Sequence, residues 1–265
     1  MGFHSYIRAV GTGPKSNREL TKNETIDAIE SILNQSVHSE QIAAFLLGWR
    51  VRLETVEELK TTLEVCNKYI KRVKIPNSIE LGYPFDGKAD NPYLLPLISK
   101  YLKKFDLNLV VSGDEIQPAK KGLTIKQLYQ NIEFDDNIFY FDRADYFKEL
   151  SDLTKIRNIL GLRTAFNTVE KLLNPGTSDY AVNAAFHKPY VAKYNQIFGN
   201  NYKNLIIVKG NEGTPEIFSK CKYWQTIDGK ITEYIIDPEY FGINYKKSMH
   251  IISPEESLNT TRNPS

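Results

Sequence analysis

Residues 79–102 read IELGYPFDGKADNPYLLPLISKYL. Ser78–Leu81 reads as a short strand, Gly82–Gly87 as a turn, and Asn91–Lys104 as a helix. Strand, turn and helix in this order is where many α/β proteins cradle a phosphate, using glycine N–H groups and a helix N-terminus. Yet the turn holds Tyr83, Pro84 and Phe85. Proline has no N–H to offer an anion, and bulky side chains keep a backbone from closing on one.

Strands and helices alternate onward from this stretch. LNLVVSG at 107–113 is a buried strand, and TIKQLYQNI opens a helix with a capping box, Thr124 with Gln127. NIFYFD at 137–142 is a strand, followed by a helix over about 146–159. AVNAAF at 181–186, a helix near 188–198 and NLIIVKG at 204–210 continue the pattern, with His187 read as a strand-end residue. The tail KYWQTIDGKITEYIID reads as a β-hairpin turning at Asp228–Gly229. Such alternation favours a parallel sheet covered on both faces.

Upstream of Pro76 the texture is helical. A helix capped by Thr21 with Glu24 presents Ile26, Ile29 and Leu33, and a second runs from Ser39 to Arg52. Within it Ala43, Ala44 and Gly48 are small enough for close helix contact. A third helix, capped by Thr55 with Glu58, carries the stripe Leu59, Leu63, Cys66 and Ile70. It is read as ending in Lys71, Arg72 and Lys74, cations that suit a helix C-terminus. Residues 1–20 are polar and glycine-containing. GTGPK at 11–15 lacks the rest of a P-loop and is read as a loop. The expected organisation is a helical domain over 1–75 and an α/β domain over 76–265. A ligand is expected at the C-terminal ends of the strands, facing the helical domain.

Composition narrows the function. The 265 residues suffice for two modest cores, and 41% hydrophobic with 25% charged residues is ordinary for a globular protein. The 34 basic and 32 acidic residues leave a charge of +2. The chain as a whole is no polycation, so an anion-binding surface must be local. Two distant cysteines form no metal or disulfide pattern, and no apolar run is long enough for a membrane span. A cytoplasmic setting is expected. The histidines share no metal-ligand spacing.

Several blocks carry a family resemblance. LTKNETIDAIESILNQSVHSEQIAAFLLGWRVRLETVEEL from Leu20, IRNILGLRTAFNTVEKLLNP at 156–175, IIVKGNEGTPEIF at 206–218 and DGKITEYIIDPEYFGI at 228–243 resemble anthranilate phosphoribosyltransferase and its relatives in glycosyltransferase family 3. IRAVGTGPKSNREL at 7–20 resembles a divergent branch, some of whose members bind nucleic acid. The resemblance implies a small N-terminal helical domain that dimerises, and a larger α/β domain with a mainly parallel central sheet, anthranilate phosphoribosyltransferase-like or nucleoside phosphorylase-like. It also implies a cleft for phosphoribosyl pyrophosphate and Mg²⁺. Relatives continue past the equivalent of FGI with further helices. The resemblance leaves open a short branch or a truncated α/β domain.

Measured against that family, the chain departs at its substrate positions. The phosphate loop, Gly-Thr-Gly-Gly-Asp-Gly in the family, keeps Gly82, Asp86 and Gly87 but has Tyr83, Pro84 and Phe85 between them. Three readings stay open: a structural turn with packed rings, a loop that stacks a base, or a cradle rebuilt around Asp86, Lys88 and the following helix. A lysine of the second motif is Val111, followed by Gly113, Asp114 and Glu115; Lys120 and Lys121 lie further on and restore positive charge or are simply solvated. In the Asp-Glu pair that holds Mg²⁺ the Asp is Pro215. Glu216 remains, with Glu212 upstream, as the metal candidates. The best-kept motif retains Arg163 and Asn167, the candidates for catalysis, but has Glu170-Lys171 where the family has Gly-Pro.

These departures support a relative that binds single-stranded nucleic acid or another phosphorylated ligand. Lys71, Arg72 and Lys74 would form a basic patch, with Tyr83 and Phe85 stacking on bases. The alternatives are a working Mg²⁺-dependent phosphoribosyl or glycosyl transferase acting on an amine or base, and a homodimer joined through the N-terminal helices that binds only partners.

Overall fold

The computed structural model describes residues 2–82, 86–118, 120–185, 188–210, 214–244 and 251–262. The chain forms two units. One comprises residues 1–71, 117–119 and 143–173; the other comprises 72–116, 120–142 and 174–265.

The helical unit begins with α1 (His4–Gly11), α2 (Lys22–Leu33), α3 (Ser39–Arg52) and α4 (Val56–Cys66). The capping boxes at Thr21–Glu24 and Thr55–Glu58 form as the sequence predicts. Helix α1 lies within residues 1–20, where the sequence reading gives no helix, and ends at Gly11 where the GTGPK loop begins. Its Tyr6, Ala9 and Val10, at i, i+3 and i+4, are buried, and it packs on α3. A Cβ on Gly48 of α3 would stand 3.1 Å from the Cα of Gly11, so glycine permits that approach. Glu58 does more than cap α4. Its carboxylate accepts from the Leu20 and Thr55 N–H groups (both 2.9 Å), the Trp49 indole (3.0 Å) and Arg52. Burial opposes its charge, but these donors outweigh burial and hold the carboxyl below its usual range.

Four later helices and a buried ion cluster also belong to the helical unit. The single helix expected over 146–159 is α7 (Arg143–Tyr146), α8 (Lys148–Asp152) and α9 (Thr154–Leu160). Phe147 breaks the run with φ −149°, and its buried ring stacks on Tyr69 at 6.2 Å. Helix α9 packs on α3, and α10 (Phe166–Val169) on α4. Glu170, 1% exposed, takes two hydrogen bonds from the Arg157 guanidinium (2.9 and 3.0 Å) and lies 3.3 Å from Arg143. Both arginines are fully buried. Cys66 is buried beside this cluster, and burial pushes its thiol up, as a core cysteine requires.

The α/β unit contains one seven-stranded sheet in the order β3-β2-β1-β4-β5-β6-β7. The strands are β1 (Ser78–Gly82), β2 (Asn108–Gly113), β3 (Ile138–Asp142), β4 (Tyr180–Ala184), β5 (Asn204–Val208), β6 (Cys221–Ile227) and β7 (Lys230–Ile236). The first five run parallel and the last two antiparallel. Asp228 and Gly229, both at positive φ, close the β6–β7 hairpin as expected. Helices α5 (Leu95–Lys103) and α6 (Ile125–Asn131) pack on β2, α12 (Pro254–Arg262) on α5, and α11 (Lys188–Phe198) precedes β5. Leu81, Leu109, Val111 and Ile138 form a core with Leu95, Ile125 and Leu128. No helix of the described residues is long and apolar enough to cross a membrane.

Replacing Glu170 with Gln should remove the negative charge that answers Arg157 in this cluster and lower stability by about 3–5 kcal/mol in urea unfolding. Breaking the exposed Lys22–Glu64 pair should leave stability nearly unchanged.

Candidate functional site

Strands β1 and β4 are neighbours although β2 and β3 intervene in sequence. Chain direction reverses across the sheet at this point, where open α/β sheets bind ligands beyond the strand C-termini. The loops leaving β1, β2 and β5 carry most of the predicted residues. Gly82 ends β1 opposite Asn183, and Gly113 ends β2 opposite Asp142. Tyr83 and Phe85, like Pro84, Glu212, His187 and His250, lie outside the described residues.

Beyond that gap the β1 loop lies tightly on the β2 loop. Asp86 is buried, with the Lys120 ammonium 3.9 Å away. Gly87 has φ +132°, and a Cβ there would stand 2.8 Å from Lys120 Cβ. Lys88 forms an antiparallel bridge with Leu123, through N–H···O bonds of 2.9 and 3.0 Å. The Lys88 side chain is buried and forms an ion pair with Glu216 on the loop after β5. Burial lowers its pKa, while Glu216 and Asp90 pull it back up. The pair stands at the wall of a mainly apolar cavity of about 250 Å³, lined also by Leu81, Tyr93, Leu95 and Phe218. Lys121 is exposed, and Lys126 meets Glu115 (2.9 Å) and Asp142 (3.2 Å). Lys88, Lys120 and Lys126 each thus face a carboxylate among the described residues.

The structure brings together Gly82, Asp86, Gly87, Lys88, Gly113, Lys120, Lys121 and Glu216 on one edge of one sheet. Arg163 and Asn167 belong to the helical unit. Arg163 is exposed on the turn before α10. Asn167 accepts from the Thr164 N–H (2.7 Å) and donates to Glu170 (2.9 Å), so its amide is committed to holding that turn. Lys71, Arg72 and Lys74 do not end a helix: α4 stops at Cys66, and the cations lie exposed on an extended run. Hydrogen bonds hold this run, from Lys71 N–H to Tyr146, Val73 N–H to Pro175 and Ile75 N–H to Gly176 (2.8–2.9 Å).

Mg²⁺ requires oxygen donors that are free to turn toward it and carry net negative charge. At Glu216 one carboxylate oxygen meets the Lys88 ammonium, and the other accepts from the Thr214 hydroxyl at 2.9 Å. Position 215 is proline. No group of three or more His, Cys, Asp or Glu suited to a metal occurs among the described residues. With both Glu216 oxygens so engaged, the donors among the described residues do not fit a Mg²⁺ site.

Sequence reasoning passed over Glu80. It lies in the middle of β1, 1% exposed, and accepts from the Asn174 N–H (3.1 Å) and the Tyr202 hydroxyl. A carboxylate inside a strand between Ile79 and Leu81 was the available signal. Burial raises its pKa from 4.5 to about 7, against the pull of Tyr202, Asn174 and Arg72. The folded state therefore holds this proton more tightly than the unfolded chain does. Glu80 contributes stability that is fully present below about pH 4 and is lost as the pH climbs to about 7. Across that window Glu80→Gln should gain on the wild type by on the order of 3 kcal/mol in chemical unfolding.

Two family models match the chain: the helical bundle domain of a glycosyl transferase family over residues 4–66, and the α/β domain of that family over residues 120–263. An uncharacterized protein of Aquifex aeolicus is 30% identical over 88% of this chain and 76% of its own length. Anthranilate phosphoribosyltransferase of Neisseria meningitidis is 27% identical over 92% of this chain and 75% of its own. The Saccharomyces cerevisiae anthranilate phosphoribosyltransferase, solved in complex with PRPP and Mg, superposes with a TM-score of 0.76 at 16% identity, over 99% of this chain and 80% of that one. The Thermus thermophilus enzyme gives 0.73 at 15% identity, over 98% and 80%. The helical bundle, the largely parallel sheet and these matches together make the chain a member of the glycosyl transferase family that includes anthranilate phosphoribosyltransferase.

Proposed function

We propose that this member of the family binds single-stranded nucleic acid. The observation that carries the reading is the run from Lys71 to Lys74, where three cationic side chains stand exposed on a backbone held by hydrogen bonds. A run whose backbone is held in this way presents such charges to a phosphate chain with little ordering cost. At the sheet edge Lys88 and Lys120 already face carboxylates, which supports the same reading. Lys121, exposed beside it, extends the basic surface of its own unit.

A second reading, pentosyl transfer to an amine or base, is favoured by the exposed guanidinium of Arg163, which suits a carboxylate or phosphate. The PRPP and Mg in the yeast neighbour give that reading its substrate class. Here it would have to proceed without a metal at Glu216. A homodimer through the N-terminal helices is part of either reading. Ala44, Leu47 and Val51 form an exposed small and apolar stripe along α3 that supports it. A cytoplasmic setting accords with two unpaired cysteines.

Fluorescence anisotropy of a labelled single-stranded oligonucleotide tests the proposal. Binding should weaken steeply with salt. Replacing Lys71, Arg72 and Lys74 together with Ala should flatten the log–log salt slope by about 2, since each phosphate contact on a single strand contributes about 0.7. Absence of binding at low salt overturns the reading. Pyrophosphate release with an amine acceptor would then establish the second.

A further inference from the structure

Lys88 is among the most enclosed cations in the α/β unit, 6% exposed. Its ammonium donates to the Pro92 carbonyl at 2.9 Å and to Glu216, and stands 5.2 Å from the centre of the Tyr93 ring. Carbonyl oxygen, carboxylate oxygen and an aromatic face together form a shell suited to a buried ammonium, and the two oxygens are of the kind a hard divalent cation takes. Asp90 adds negative potential from the same loop.

The backbone leaves Lys88 little freedom to withdraw. Both its N–H and its carbonyl are bonded to Leu123. Gly122, at φ +80°, lies so close that a Cβ would stand 2.2 Å from the Lys88 carbonyl oxygen. Glu216 is equally fixed, its second oxygen held by Thr214.

We propose that the Lys88 ammonium takes the place of a divalent cation at Glu216, so that this edge of the sheet carries its positive charge covalently and binds no Mg²⁺ there. The inference stands on these contacts alone, whichever anion the protein takes. A metal would have to displace a buried ammonium from a carboxylate, a carbonyl and a ring at once. Removal of that ammonium leaves a partly enclosed carboxylate with space for an ion.

Mn²⁺, followed by electron paramagnetic resonance of the free ion, is a direct probe with the full chain. The wild type should leave the signal where Glu216→Gln leaves it. Lys88→Met, once shown to be folded by circular dichroism, should take up Mn²⁺ in competition with Mg²⁺, and Lys88→Met/Glu216→Gln should lose that uptake. Mn²⁺ bound by the wild type and released by Glu216→Gln overturns the proposal, as does a folded Lys88→Met that takes up none. If Lys88→Met does not fold, the comparison of wild type with Glu216→Gln decides: equal uptake sustains the proposal, and a loss in Glu216→Gln overturns it.

Discussion

Removing a carboxylate from water costs several kcal/mol unless the protein answers its charge from within. Much of this structure is arranged around that constraint. Glu58 is answered mainly by N–H groups and an indole, Glu170 by two buried guanidinium groups, and Glu216 by a buried ammonium. Among the described residues Glu80 receives neutral donors at hydrogen-bond range, and burial raises it toward neutrality. Glu58, whose larger set of donors outweighs burial, is instead held below its usual range.

The same constraint recurs in both units. In the helical unit, Glu170 stands where the family resemblance places glycine, and it is now the anchor for Arg143 and Arg157. In the α/β unit, a carboxylate inherited at position 216 is neutralised by a lysine from the loop after β1. Both carboxylates serve as internal supports, one in each unit.

Local signals made most of the fold legible. Capping boxes at Thr21, Thr55 and Thr124 fixed helix starts, and Asp228-Gly229 fixed the hairpin, because each is a short-range hydrogen-bond or backbone-angle requirement. Helix α1 was missed because only three of its side chains are buried, in a stretch of polar composition. The break at Phe147 depends on a ring finding Tyr69, many residues away, which no local pattern records. The site was legible in part. The family blocks located its loops, but the pairing of Lys88 with Glu216 spans 128 residues. Likewise, Asn167 looked like a reacting group until its amide was found committed to Thr164 and Glu170.

The interleaved division of the chain has a consequence for synthesis. The first four helices emerge from the ribosome before the residues that supply Arg143, Arg157 and Glu170. Strands β1, β2 and β3 are made in the interval, yet β4, which must lie beside β1, follows only after residue 173. Neither unit can close on its own schedule. Each waits for a segment made during or after the other, so the nascent chain keeps unfinished apolar faces on both until about two thirds of it has been translated.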